Sequence, residues 1–132
     1  MAILHVDDQA AIREIVRRAL EAFGFAVVSA DSVRAAKLAL AEQSDLTGAF
    51  LDLKLRDGDG GQLYEWIRDH RRDLMGRVAF LTGSADTRLH AVLAATGCPV
   101  VRKPFEITEL VTLAAAWEGG DEVEANQPPK AG

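Results

Sequence analysis

Short apolar runs alternate with stretches in which apolar residues recur every three or four positions, from the start of the chain to about residue 118. Ile3 to Val6 is the first run. Ile12, Ile15, Val16, Ala19, Leu20 and Phe23 then return at helical spacing and predict a helix with one apolar face. Gly24 closes that helix as a left-handed cap, and Phe25 to Ser29 is rich enough in β-branched residues to form a second strand. Asp31 or Ser32 caps the next helix, whose apolar edge is Val33, Ala36 and Leu40. Ala49 to Leu51 is a third run. The stretch Asp57-Gly58-Asp59-Gly60-Gly61 breaks the pattern as a loop before Leu63, Trp66 and Ile67 resume helical spacing. Val78 to Leu81 is the fourth run, followed by Ser84 as a cap and a helix carrying Leu89, Val92 and Leu93 that Gly97 ends. Val100-Val101 is the fifth, and beyond Pro104 a last helix presents Ile107, Leu110, Val111 and Ala114.

Five strand-helix units with nearly continuous apolar strands predict an α/β fold, a parallel sheet covered on both faces by helices. The pattern stops near Gly119, which places a domain at residues 1–118 and a disordered, acidic, proline-containing tail or linker at 119–132. A chain of 132 residues fits one core, able to bury roughly two-thirds of the surface exposed by the unfolded chain. The balance of 48% apolar and 27% charged residues is that of a soluble globular protein, and the net charge of −5 disfavours non-specific nucleic-acid binding. Cys98 is the sole cysteine, so no internal disulfide forms, and it reads as a small buried residue. No apolar segment approaches the roughly 20 residues that span a bilayer, and no signal peptide precedes the first strand. The expectation is a cytoplasmic protein.

The chemistry sits at the ends of the apolar runs. Asp7 and Asp8 follow the first, Asp52 the third, Thr82 the fourth and Lys103 the fifth. In an open parallel sheet, ligands bind beyond the carboxyl ends of the strands, so these residues share one crevice if the runs are strands. Two like charges about 4 Å apart repel by roughly 4 kcal/mol at an effective dielectric near 20, so three gathered carboxylates call for a cation or a raised pKa. Oxygen ligands without a His or Cys cluster favour Mg²⁺, which keeps sites open for phosphate oxygens. Phosphoryl transfer is the implied reaction, with Asp52 as nucleophile and Thr82 and Lys103 placed to meet the phosphoryl oxygens. Each residue also has a plain structural role: a helix cap for the Asp pair, a satisfied loop hydroxyl for Thr82, a surface charge for Lys103. Their joint placement outweighs those roles. His5 reads as a strand residue facing a helix, His70 and His90 as surface, and Trp66 and Trp117 as core or partner-facing packing.

Over residues 2 to 117 the chain resembles the receiver domains of two-component response regulators. The resemblance rests on Asp7-Asp8 in Ile-Leu-His-Val-Asp-Asp, Asp52 in Leu-Asp-Leu-Lys-Leu-Arg-Asp-Gly-Asp-Gly, Thr82 in Leu-Thr-Gly-Ser, and Lys103 in Lys-Pro-Phe. It implies a doubly wound, flavodoxin-like five-stranded sheet in the order 2-1-3-4-5 flanked by five helices. It also implies Asp52 as phosphoacceptor and Mg²⁺ held by Asp8, Asp52 and the backbone carbonyl of Lys54, with Asp7 reaching the metal through water. The phosphate donor is then a histidine kinase or phosphotransfer domain, and the chain is a signalling phosphoacceptor whose only catalysis is its own phosphotransfer and dephosphorylation. A cis Lys103-Pro104 bond is expected on the same ground.

Three positions depart from that family's pattern. Arg56 stands where proline is common and should loosen the loop after the third strand. Lys54 lies two residues past the acceptor, where its long side chain can alter the lifetime of the phosphorylated state. Val100 replaces the Tyr or Phe that serves as a switch, so a muted rearrangement of the face around the fifth strand is expected, and a relay or phosphate-sink role is favoured over an output switch. No DNA-binding segment follows residue 117, which suggests a single-domain regulator or a receiver excised from a larger protein such as a hybrid histidine kinase. Self-pairing through exposed helical faces stays open. Two rivals remain: a receiver-like interaction module that is never phosphorylated, and an Asp-nucleophile phosphatase. Lys54 counts against the phosphatase, because it stands where such enzymes carry a second Asp.

Overall fold

The computed structural model describes residues 1–83 and 87–124, with the side chains of 87–90 and 92 left aside. Its main sheet contains β1 (Ala2–Val6), β2 (Ala26–Ala30), β3 (Leu46–Asp52), β4 (Val78–Thr82) and β5 (Val100–Arg102). All pairings are parallel and the order is β2-β1-β3-β4-β5, as the resemblance implies. The helices are α1 (Ala10–Ala22), α2 (Val33–Glu42), α3 (Gly60–His70), α4 (Thr87–Thr96) and α5 (Ile107–Glu118). Among the described residues, no helix is long and apolar enough to cross a membrane.

The two-residue alternation of a strand divides the apolar runs between two cores. Leu4, Val6, Ala49, Leu51, Val78 and Phe80 pack with Ala36 and Leu40 of α2 and Leu63 and Ile67 of α3. Ile3, Phe50, Ala79 and Leu81 pack on the opposite side with Val16 and Leu20 of α1 and Leu110 and Trp117 of α5. Both faces are covered, so the central strands carry almost no polar residues until their carboxyl ends. Trp117 is buried against Phe50, ring centroids 4.8 Å apart. Cys98 is buried in the first core, as expected.

Gly24 takes φ 91°, and the Phe25 amide turns back to the Leu20 carbonyl, which confirms the left-handed helix end. Of the two candidate caps for α2, Ser32 is used: its hydroxyl accepts from the Ala35 amide at 3.0 Å. Asp31 instead pairs with Arg56. The proposed Ser84 cap lies outside the described residues.

Two expectations need correction. The segment after β3 is not a plain, loosened loop. Lys54–Leu55 and Gly58–Asp59 pair as a small antiparallel hairpin, tied down on three sides. Arg56 binds Asp31, Asp57 accepts from the Val33 and Arg34 amides at 2.7 and 3.0 Å, and Asp59 forms a capping box with Gln62 at the start of α3. The charged guanidinium thus replaces a proline's stiffness with an ion pair. The domain also extends past residue 118. Asp121 N–H donates to Ala116 O, Val123 N–H donates to Gly76 O, and Val123 is buried in the second core. One apolar residue is too short a signal for periodicity to register. Residues 125–132 of the expected tail lie outside the described residues.

A Cβ on Gly48 would lie 2.2 Å from the Trp117 ring, which is itself locked in the core. Gly48→Ala is expected to cost about 1–3 kcal/mol by overpacking, read as a lower urea midpoint with an unchanged slope.

Candidate functional site

Strand register assembles the site. Val6 pairs with Leu51, so Asp7, one residue beyond β1, stands level with Asp52 at the end of β3. Asp52 pairs with Leu81, and Thr82 with Arg102, so Thr82 and Lys103 follow one step further along β4 and past β5. Four chain segments thereby deliver their polar residues to one edge of the sheet. The hydrogen bond from Lys103 N–H to Thr82 O, 2.8 Å, fixes the last of them. The Lys103-Pro104 bond is cis, as expected.

Lys103 Nζ donates to Asp7 Oδ2 at 2.8 Å and to Asp52 Oδ2 at 3.1 Å. Asp7 is fully buried, and its second oxygen accepts from the Gln9 amide at 2.9 Å. Asp8 is exposed, yet one oxygen from each of Asp7, Asp8 and Asp52 falls within 4.8 Å of the others, a grouping able to hold a metal ion. Asp8, Gln9, Asp52, Lys54, Thr82 and Lys103 line an open cleft of about 300 Å³. Its floor is buried Asp52 and Thr82; its rim is Asp8 and Lys54.

The electrostatics oppose one another. Burial, aided by the nearby Asp7 charge, raises the Asp52 pKa above the usual carboxylate value despite the Lys103 ammonium and the Lys54 amide. Burial works against the Lys103 charge, but hydrogen bonding and attraction to Asp7 and Asp52 prevail and raise its pKa. The upward shift of Lys103 favours its charged form, whereas the upward shift of Asp52 disfavours its carboxylate.

Of the site residues predicted from the sequence, Asp8, Asp52, Lys54, Thr82 and Lys103 line this cleft, Asp7 lies buried behind it against Lys103, and Val100 stands apart. It lies on β5, 40% exposed, outside the cleft lining. The sequence reading missed Arg13, whose Nη1 donates to the Asp7 carbonyl at 2.7 Å, and Gln9. Their position in the first turns after β1 is the signal that could have found them. His5 lies buried beneath the site, its Nε2 4.0 Å from Asp7 Oδ2, where alternation along β1 puts both on one face. Burial pushes its pKa down to about 4, so the imidazole is neutral.

The sequence profile described as the response regulator receiver domain matches residues 3–115. The chain is 35% identical over 116 residues to the transcriptional regulatory protein GltR of Pseudomonas aeruginosa, covering 87% of this chain and 48% of that protein. It is also 35% identical over 130 residues to the acid tolerance regulatory protein ActR of Rhizobium meliloti, covering 97% and 64%. The chain thus spans about half to two-thirds of these relatives' length. A response regulator receiver protein from Pseudomonas putida superposes with a TM-score of 0.79 at 27% identity, over 86% of this chain and 94% of that one.

The raised Asp52 pKa carries a stability consequence. The folded protein takes up this proton more readily than the unfolded chain, so stability falls as pH rises from the ordinary carboxylate value through the raised one. Asp52→Asn is expected to melt above the wild type at pH 7 in metal-free buffer, and the gap should shrink on acidification through that window. Equal melting temperatures in calorimetry at pH 7 would contradict it.

Proposed function

The chain belongs to the response regulator receiver domain family, and on that premise we propose that Asp52 accepts a phosphoryl group from a phosphohistidine of a histidine kinase or phosphotransfer domain. The observation that carries this reading is the pair of hydrogen bonds that Lys103 Nζ donates to Asp7 and Asp52 at the floor of an open cleft. A carboxylate oxygen attacks phosphorus as the P–N bond breaks; its electron pair returns to the imidazole, which takes up a proton. The nucleophile must be ionised, and the Lys103 ammonium favours that form against the upward pull of burial on the Asp52 pKa. When the phosphoryl group arrives, the ammonium can exchange its bond to Asp52 for one to a phosphoryl oxygen while retaining Asp7. The Thr82 hydroxyl stands at the same cleft to serve another oxygen.

Oxygen donors from Asp8, Asp52 and the Lys54 carbonyl, with Asp7 behind them, suit Mg²⁺, which when bound would neutralise charge on the transferring group. The clustering of three carboxylates around one ammonium supports this fit, because one positive charge cannot balance three negative ones. Within a signalling pathway such a domain works in the cytoplasm. The transcriptional roles in the relatives' names belong to those longer proteins; the role proposed here is phosphoacceptance. Val100, without an aromatic side chain to rearrange, favours a relay or phosphate sink, with little change on the face formed by α4, β5 and α5.

Incubation with a small-molecule phosphodonor and Mg²⁺ should add one phosphoryl group to the intact mass, and Asp52→Asn or chelation should abolish the gain. Absence of any gain would favour an interaction module; sustained turnover of the donor without a phosphorylated protein would favour a phosphatase. Lys103→Ala should slow the reaction about a hundredfold, the order seen on losing one preorganised donor to a developing oxyanion.

Lys54 is exposed at the rim of the cleft, beside the path by which water reaches Asp52. Lys54→Ala should alter the decay rate of the phosphorylated form severalfold while leaving its formation intact. An unchanged rate, followed by mass spectrometry or phosphate release, would remove that role.

A further inference from the structure

The outer stripe of α2 and the second turn of α3 enclose a groove remote from the cleft. Arg34, Lys37, Leu38 and Ala41 fall at i, i+3, i+4 and i+7, one face of α2, and with Val33 and Trp66 they line a volume of about 500 Å³. Leu38 is 56% exposed on a helix whose Val33, Ala36 and Leu40 are buried in the core. The Trp66 ring is set in place from its far side, stacked on His70 with centroids 4.2 Å apart, while His70 Nδ1 bonds the Trp66 carbonyl. An oriented aromatic and an exposed leucine thus form an apolar floor. Arg34 and Lys37 give it a cationic rim in a chain of net charge −5. The one acid at the groove, Asp57, already spends its carboxylate on the Val33 and Arg34 amides.

That bond connects the groove to the cleft. Asp57 belongs to the hairpin that starts two residues after Asp52 and whose Lys54 lines the cleft. The same hairpin anchors the start of α2 through Asp57 and the start of α3 through Asp59. Both walls of the groove therefore hang from the segment that leaves the phosphoacceptor.

We propose that the α2–α3 groove docks an amphipathic helix of a partner protein, one with an apolar ridge flanked by Asp or Glu, and that hairpin 54–59 couples this docking to the state of Asp52. The apolar ridge seats on Leu38, Ala41 and Trp66, and the acidic flank meets Arg34 and Lys37. The docking half stands on the groove alone; the coupling half rests on the phosphoacceptor reading above.

The test titrates the whole chain with a synthetic helical peptide of about 16 residues, four to five turns, bearing leucines at i, i+3, i+4 and i+7 flanked by glutamates. A lysine-flanked version is the control, and NMR follows the Trp66 indole and Leu38 methyl signals. Saturable shifts at these residues are expected, weakened about tenfold by Arg34→Glu combined with Lys37→Glu and absent with the control peptide. No saturation, equal binding of the control, or the same shifts from raising protein concentration alone would overturn docking; the last would assign the groove to a second copy of the chain. Beryllofluoride with Mg²⁺ is then added, and ¹⁹F NMR reports independently whether an adduct forms at Asp52. With an adduct present, peptide affinity should change about fivefold in the wild type and stay constant in Asp57→Asn. An adduct with unchanged affinity overturns the coupling. Failure to form any adduct overturns the phosphoacceptor reading and with it the coupling, while docking is still decided by the first titration.

Discussion

The Lys103 ammonium, bonded to two carboxylates at once, is the interaction on which the arrangement depends. Asp7 is fully buried, and an ionised carboxylate without a counter-charge would cost several kcal/mol in such a place. Its partner follows β5, separated from β1 by β3 and β4 in the strand order, so the pair joins distant parts of the sheet. Yet Asp8 joins these two carboxylates, with one oxygen of each residue within 4.8 Å of the others, and Lys103 bonds only Asp7 and Asp52. Asp52 is the more distant partner, at 3.1 Å against 2.8 Å for Asp7, and burial, aided by the Asp7 charge, raises its pKa. A group whose charge is only partly compensated is a good acceptor of a cation and a phosphoryl group, and a poor contributor to folding. The two apolar cores carry the stability that this edge of the sheet gives up.

Close packing puts the acceptor within reach of the helices. Gly60 opens α3 directly behind β3, where a Cβ would come within 2.7 Å of the Asp52 carbonyl, and its amide donates to the Leu53 carbonyl at 2.8 Å. Any side chain there would push α3 off the strand end. Gly60, read from the sequence as a turn residue, is better understood as the point of nearest approach between helix and acceptor strand. The hairpin of residues 54–59 is the chain left between those two fixed points, and its acids cap both neighbouring helices.

Local periodicity made the sheet and its helices legible, because a strand covered on both faces has little choice but a continuous apolar run, and the residue that ends it stands out by contrast. Asp52, Thr82 and Lys103 were visible for that reason. Asp57 was not: it caps a helix 24 residues earlier in the chain, and no local pattern encodes a long-range cap. Arg56 looked like a lost constraint because its partner, Asp31, is equally remote. Val123 fell outside the domain boundary since one apolar residue has no period, and its burial depends on Gly76 turning up to meet it.

These placements bear on how a change at Asp52 can travel. On the β5 side, Val100 is a short branched residue, 40% exposed, three positions before Lys103. On the α2–α3 side the route runs through the backbone itself: one residue, Leu53, separates Asp52 from the hairpin, and Arg56, Asp57 and Asp59 of the hairpin bind Asp31, the start of α2 and the start of α3. Backbone attachments transmit displacement without needing a rotamer change. On the proposed reading of Asp52, this backbone continuity ties the cleft to the starts of α2 and α3 through Asp57 and Asp59.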